Sequence, residues 1–359
     1  MKIRLPVRKA ILQRKTYEAP AEGRFDKVRL DFNENTTGCG PAVLRALRQL
    51  TPRQLAMYPE YARPTARIAK HFGVTAQELL LTNGGDDALR VFFDAFVEPG
   101  THILICEPTF PMYRYYAEIA GADINTLRYG SQMEFPLDEF ISALRKNPRV
   151  VFIANPNNPT GTLLPRDAIK KILLASANTV VVIDEAYAEF SGMSVLPWIR
   201  KYPHLFVART FSKAAGLAGL RLGAVMACRE SLTLLRRAMP PFPVNLAALV
   251  AAEAALDDRT AIRNYVKQTR QLRELFASQL EQHGVRVFPS AGNFLLADFG
   301  IQGPPLFQKL ADQGILVRER SKDIGPGFVR ISIGSKSEMQ RLIGVIRKES
   351  GALRRQGNK

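Results

Sequence analysis

Five short runs in the first 210 residues are apolar on nearly every position: ELLLT (78–82), HILIC (102–106), VVFIA (150–154), VVVID (180–184) and LFVART (205–210). A strand with one face in water alternates apolar and polar residues, whereas a strand covered on both faces does not. Between these runs lie stretches with helical spacing, Asp86–Val97, Met112–Ala120, Leu137–Lys146 and Pro165–Ala175. Strands that alternate with helices predict parallel pairing with helices on both faces. The expected architecture is α/β, with a doubly wound, mostly parallel sheet.

Near Val244 the texture changes. VNLAALVAAEAALDD (244–258) reads as a helix apolar on two ragged faces. A second helix over 261–284 ends on Gly284, a residue suited to closing a helix in the left-handed conformation. Short strand-like runs follow, VRVFPS (285–290), NFLLADF (293–299), ILVRE (315–319) and FVRISIG (328–334), and then a last helix from Ser337. This predicts a smaller α+β domain. The expected division is an N-terminal arm, 1–32, joining the small domain; a large domain, 33–245; and a small C-terminal domain, 246–359.

Composition narrows the class. The chain has 359 residues, 46% hydrophobic and 23% charged, enough for a sizeable core. No apolar run approaches the ~18 residues that span a bilayer. The basic N-terminus lacks the apolar block of a secretory signal, so a cytoplasmic protein is expected. Cys39, Cys106 and Cys228 are far apart, and neither they nor the four histidines show metal-ligand spacing, so no metal is expected. The formal charge of +17 raises nucleic acid as a partner. The lysines and arginines are nevertheless spread along the chain and densest at its two ends. No zinc-finger, RNP or helix-turn-helix pattern accompanies them. Solvated faces, or steering of small anions, account for the charge without a specific nucleic-acid function.

Ligands of open α/β sheets bind outside the carboxyl ends of the strands. There this sequence places NGGDD (83–87), NPNNPTG (155–161), DEAY (184–187) and TFSK (210–213). Each has an ordinary explanation by itself, as a helix cap, a turn or a solvated lysine. Four polar clusters at one rim form a constellation. A lysine amine held unprotonated forms a Schiff base with an aldehyde. A carboxylate beside a pyridine nitrogen keeps that nitrogen protonated and the ring an electron sink. A phosphate takes backbone N–H groups at a helix start, hydroxyls and a fixed cation, and Gly85, Asp86, Thr210, Ser212 and Arg221 are suitable. The small residues after Lys213 let backbone pass close to such a ligand.

NPNNPTG, DEAY and SKAAGLAGLRLG (212–223), in that order and spacing, resemble the fold type I pyridoxal-phosphate aminotransferases. Within them the chain is most similar to the histidinol-phosphate aminotransferase subgroup. LDFNENTTG (30–38), YPEY (58–61), TNGGDDAL (82–89), EPTFPMY (107–113), PVN (243–245), GNFLLADF (292–299), GILVRER (314–320) and VRISIG (329–334) carry that likeness. It implies pyridoxal 5'-phosphate as cofactor, amino-acid and 2-oxo-acid substrates, and a homodimer with shared active sites. It further implies that Lys213 bears the cofactor and shuttles the proton, that Asp184 faces the pyridine nitrogen, and that Tyr187 and Asn158 bond the phenolic oxygen. Gly85, Asp86, Thr210, Ser212 and Arg221 would form the phosphate cup, Phe110 would stack on the ring, and Tyr58 would reach the phosphate in the other subunit. Arg330 would clamp the substrate carboxylate. Asn33 and Asn35 would line the substrate side, and Arg318 and Tyr17 would contact a substrate phosphate. Four departures stand out: Gly85 replaces a usual serine or alanine, Asp87 a frequent glutamate, Phe110 a commoner tyrosine, and NENTTG a usual proline-containing loop.

Two other amino-acid chemistries fit the same motifs: an aromatic aminotransferase, and a threonine-phosphate decarboxylase. SKAAGLAGLRLG is more similar to the transaminase. A cofactor-dependent DNA-binding regulator, the reading from another class, needs a separate helix-turn-helix domain. The roughly thirty residues before the enzyme-like region are too few for one.

Overall fold

The computed structural model describes residues 5–12, 14, 16 and 22–356, with side chains to residue 349. Tyr17 lies outside the described residues. The strands, in chain order, are β1 (Val28–Leu30), β2 (Leu79–Thr82), β3 (His102–Glu107), β4 (Asp123–Arg128), β5 (Val150–Ala154), β6 (Val180–Asp184), β7 (Leu205–Thr210), β8 (Gly223–Met226), β9 (Arg286–Phe288), β10 (Phe294–Asp298), β11 (Ile315–Glu319) and β12 (Phe328–Ser332).

The large sheet runs β2-β8-β7-β6-β5-β3-β4. The pairs along β7-β6-β5-β3-β4 are parallel, and β8 is antiparallel to both its neighbours. The near-continuous apolar runs have a direct cause. Alternate residues enter two different cores: Leu104, Val151, Ile153, Val181, Ile183 and Val207 pack on one face, and Ile103, Ile105, Val150, Phe152, Val182 and Phe206 on the other. The intervening helices are Gly84–Phe96, Met112–Ala120, Leu137–Leu144 and Arg166–Ala175. Two strands go beyond the expectation. β4, DINTLR, is an edge strand with no fully buried residue, so it has no apolar run. β8, GAVM, is fully buried but only four residues long, inside what reads as a Gly-rich loop.

The second sheet runs β1-β11-β12-β10-β9, with β1 parallel to β11 and the other pairs antiparallel. Its core includes Leu30, Leu295, Ile315, Val329 and Ile331, covered by Phe276 and Leu280 of the helix Arg259–Gln282 and by Leu342 and Ile346 of the last helix. The helix Leu246–Asp257 packs Ala248, Leu249, Ala251, Ala252 and Leu256 into the large-sheet core. Core membership therefore changes at Asp258, which caps the next helix through its own carboxylate. The texture changes one helix earlier because a helix buried on several sides carries no amphipathic stripe.

Candidate active site

The ends of β2, β3, β5, β6 and β7, the segment after β1 and residues of β11 and β12 enclose a cavity of about 450 Å³. Gly85, Asp86, Phe110, Asn158, Asp184, Tyr187, Thr210, Ser212, Lys213, Arg221, Arg318 and Arg330 all line it. Two larger hollows, of about 600 and 710 Å³, share Phe72 in their lining, and neither is lined by Lys213 or Asp184. Chemistry rather than size therefore picks out the site.

At one end, the helix Gly84–Phe96 starts at the cavity wall. Gly84 has φ +81°, and a Cβ on it would lie 2.5 Å from Nη2 of Arg221. A Cβ on Gly223 would lie 2.6 Å from the Gly84 carbonyl. The two glycines thus let the Arg221 guanidinium lie across the helix start. Arg221 donates to Asp86 Oδ2 and to the Ala218 carbonyl, each at 3.2 Å. Thr210 Oγ1 donates to Ser212 Oγ at 2.9 Å and accepts from the Ser212 N–H at 3.1 Å. A helix N-terminus, two hydroxyls and one guanidinium at a single corner form a donor set that fits a phosphate dianion.

Asp184 ends β6. Its Oδ2 accepts from Tyr113 Oη at 2.9 Å and its Oδ1 from the Ala186 N–H at 3.0 Å. Burial pushes this carboxyl's pKa up, and the two hydrogen bonds oppose the rise. Lys213 Nζ donates to the Phe32 carbonyl at 2.9 Å. Burial lowers the Lys213 pKa to about 8, with Arg330 pushing the same way and Glu34 and Asp86 opposing. A lysine so placed is half neutral at about pH 8 and still roughly one-fifth neutral at about pH 7.4, far more than a free side chain, and the neutral form is the one a carbonyl-reactive amine needs. Tyr187 Oη accepts from Asn33 Nδ2 at 2.9 Å. Burial raises the Tyr187 pKa, against Arg330 and the Asn33 bond. Phe110 meets Tyr113 edge-on at 5.8 Å.

The opposite wall is cationic. Arg330 of β12 donates through Nη1 to Asn158 Oδ1 at 2.5 Å and through Nη2 to the Asp31 carbonyl. Its Nε is buried with no partner among the described residues, a donor that a carboxylate would satisfy. Burial lowers the Arg330 pKa to about 10. Arg318 of β11 lies directly across from Arg330 in the ladder. Like charges in facing positions destabilise a strand pair unless an anion sits between them. Arg320, also on this wall, is buried and ion-paired to Asp323. Arg24 lies 3.9 Å and Arg318 5.9 Å from the Phe32 ring centre.

Three residues expected at the site do not line this cavity. Asn33 has φ +55°, is fully buried, and is held by Ser332 and Asn293 beneath Tyr187. Asn35 uses Oδ1 to close a turn onto Thr37. Phe32 and Glu34 line the cavity instead, from a segment whose backbone bends at residues 31–32 and takes φ +55° at Asn33. Tyr58 is 79% exposed and stacks on Phe242 at 4.5 Å, away from the cavity. Sequence reading also assigned nothing to Tyr113, Arg320, Phe32 or Glu34. All four stand inside quoted motifs, but only the backbone shows which way they face. Among the described residues, no group of three or more His, Cys, Asp or Glu side chains is placed to hold a metal ion, and no helix is long and apolar enough to cross a membrane.

A family model for aminotransferases of class I and II matches residues 26–346. A histidinol-phosphate aminotransferase of Geobacillus sp. (strain WCH70) is 39% identical over 329 residues, 89% of each chain. The structure of histidinol-phosphate aminotransferase from Sinorhizobium meliloti, in complex with pyridoxal-5'-phosphate, superposes with a TM-score of 0.90 at 25% identity, covering 98% of this chain and 99% of that one. An L-threonine-O-3-phosphate decarboxylase from Porphyromonas gingivalis superposes with a TM-score of 0.78 at 25% identity, over 89% and 98%.

The lowered lysine pKa yields a first test. The rate at which Lys213 reacts with a small aldehyde should rise with pH through a midpoint near 8, while surface lysines have theirs near 10.5. In Arg330→Ala the midpoint should move upward, because one positive neighbour is gone. A Lys213 profile indistinguishable from that of surface lysines contradicts the electrostatic account. The same shift bears on stability. The unfolded chain binds more protons than the folded one between about pH 8 and 10.5, so this lysine's destabilising contribution fades as pH rises through that window.

Proposed function

The chain belongs to the class I and II aminotransferases, and we propose that it uses pyridoxal 5'-phosphate to move the amino group of histidinol phosphate onto 2-oxoglutarate, as a cytoplasmic homodimer. One observation carries the reading. An amine with a lowered pKa, an enclosed carboxylate, a phosphate corner and a wall bearing Arg318, Arg320 and Arg330 line a single cavity. The solved relative with pyridoxal-5'-phosphate, and curated relatives at 32–39% identity with histidinol-phosphate aminotransferase names, support it.

When bound, the cofactor supplies a reactive carbonyl and an electron-withdrawing ring. The residues of this chain supply the rest. The helix start at Gly84–Asp86, Thr210, Ser212 and Arg221 hold its phosphate, with Arg221 exchanging Asp86 for the stronger anion. Asp184, as a carboxylate, holds a proton at the ring nitrogen. Phe110 packs on the ring face. Tyr187 Oη and the Asn158 amide reach the phenolic oxygen; Asn158 Oδ1 is already taken by Arg330, so its Nδ2 is the group free to donate. Lys213 Nζ, half neutral at about pH 8, would be the group that takes and returns the proton at the substrate Cα. Arg330 holds the α-carboxylate of glutamate in the second half-reaction. Arg318 takes the substrate phosphate, with Tyr17 of the N-terminal arm as its companion. The overall charge of +17 draws such anions toward the cleft.

Tyr58 and Phe242 present aromatic surface to solvent beside the large domain. We assign this surface to the second copy, where Tyr58 completes the neighbour's phosphate corner.

Two experiments test these assignments. Steady-state assays with 2-oxoglutarate should favour histidinol phosphate over phenylalanine. Arg318→Ala should raise the KM for histidinol phosphate roughly thirtyfold or more, as expected for losing a charge-assisted contact of ~2 kcal/mol or above, with little change for phenylalanine. If phenylalanine is preferred, or both rise equally, the aromatic aminotransferase reading takes its place. Carbon dioxide release without keto-acid formation identifies the decarboxylase. For the dimer, mixing Tyr58→Ala chains with Lys213→Ala chains should restore activity through one intact site per heterodimer. No recovery in mixtures shown to exchange subunits removes the shared-site assignment.

A further inference from the structure

We propose that Tyr113 is the positioning residue for Asp184, holding its carboxylate charged and aimed so that it keeps a proton on the cofactor's ring nitrogen; this rests on the cofactor reading above. Tyr113 belongs to the helix Met112–Ala120 and has no solvent exposure. Its ring stacks on Phe152 of β5, with centres 5.2 Å apart and planes 17° from parallel, so the hydroxyl has one fixed location. From there it donates to Asp184 Oδ2 at 2.9 Å. The Ala186 N–H occupies the other oxygen, Oδ1. Each carboxylate oxygen thus receives one protein donor and keeps a lone pair for a third donor entering from the cavity.

The electrostatic surroundings make this bond consequential. The charges acting on Asp184 from nearby, Asp86 at the phosphate corner and its neighbour Glu185, are both negative, and burial likewise favours the neutral acid. Glu185 is offset by its ion pair with Arg209 at 2.9 Å, and Tyr187 is the other titratable group on this side. Against these, the donors that favour the anion are the Ala186 N–H and the Tyr113 hydroxyl. Water does not compete for the Tyr113 hydroxyl in the folded protein, because the side chain has zero exposure. The same ring meets Phe110 edge-on at 5.8 Å. One side chain therefore sets both the partner of the ring nitrogen and the partner of the ring face.

The test compares cofactor dissociation constants for pyridoxal phosphate and for the carbocyclic analogue in which the ring nitrogen is C–H. Tyr113→Phe keeps the packing and removes the donor. It should weaken pyridoxal phosphate roughly tenfold or more, the scale of a hydrogen bond to a charged group. The analogue should stay within about twofold, because it offers Asp184 no proton to hold. In an Asp184→Asn background, Tyr113→Phe should have no further effect on pyridoxal phosphate. Should Tyr113→Phe not fold, a ring-fluorinated tyrosine at 113, a stronger donor of the same shape, should tighten pyridoxal phosphate and not the analogue. Equal weakening of both ligands, or none, overturns the assignment while leaving the cofactor reading intact. A wild-type protein that fails to bind pyridoxal phosphate overturns both.

Discussion

Three consecutive residues, Asp31, Phe32 and Asn33, each make one hydrogen bond to a different functional side chain. The Asp31 carbonyl accepts from Arg330, the Phe32 carbonyl accepts from Lys213, and the Asn33 amide donates to Tyr187. This segment follows β1, which is an edge strand of the small sheet. Lys213 and Tyr187 follow strands of the large sheet, and Arg330 lies in the small one. The two sheets are therefore registered to each other through three bonds to one short segment, two to its backbone and one to the Asn33 side chain. Asn33 holds φ +55° at the centre of it, a conformation that asparagine tolerates better than most residues. Ser332 and Asn293 lock it there from the small-domain side.

The second constraint is charge. Arg318, Arg320 and Arg330 face the cavity from the small sheet and Arg221 from the large one. Opposing them are Glu34, bound to Arg24 and Arg29, Asp86, bound to Arg221, and Asp184. Most negative charge at the site thus has a protein partner already, whereas Arg330 keeps one donor unsatisfied. A cavity of this kind is complementary to a ligand that carries several anionic groups at separated points. A phosphorylated cofactor together with a phosphorylated or dicarboxylate substrate has that character. Burial first, and then the positive charges of Arg330 and Arg221 against Glu34 and Asp86, let the Lys213 amine lose its proton more readily, so the cations that attract anions also contribute to preparing the nucleophile.

Much of this was legible from residues alone because it is local. An apolar run bounded by polar residues reads as a covered strand, and the rule that ligands meet carboxyl ends of strands brings DEAY, NPNNPTG and TFSK together without coordinates. What was not legible depends on side-chain direction and register. Asn33 and Asn35 are the conspicuous polar residues of their loop, yet Phe32 and Glu34 are the ones that line the cavity. Tyr113 reaches Asp184 across 71 residues of sequence. The facing of Arg318 with Arg330 is a property of strand register, which no composition announces. β4 stayed hidden because an edge strand need not be apolar, and β8 because four small residues resemble a loop.

The central claim is that this fold isolates one amine, at Lys213, for carbonyl chemistry. The most direct measurement is to incubate the purified protein with pyridoxal phosphate, reduce with borohydride and map the modified peptides. The account predicts a single stoichiometric label on the peptide that contains Lys213, formed near neutral pH, while lysines on the exposed face remain free. A label distributed over several lysines, or stoichiometric labelling that leaves Lys213 unmodified, would contradict it.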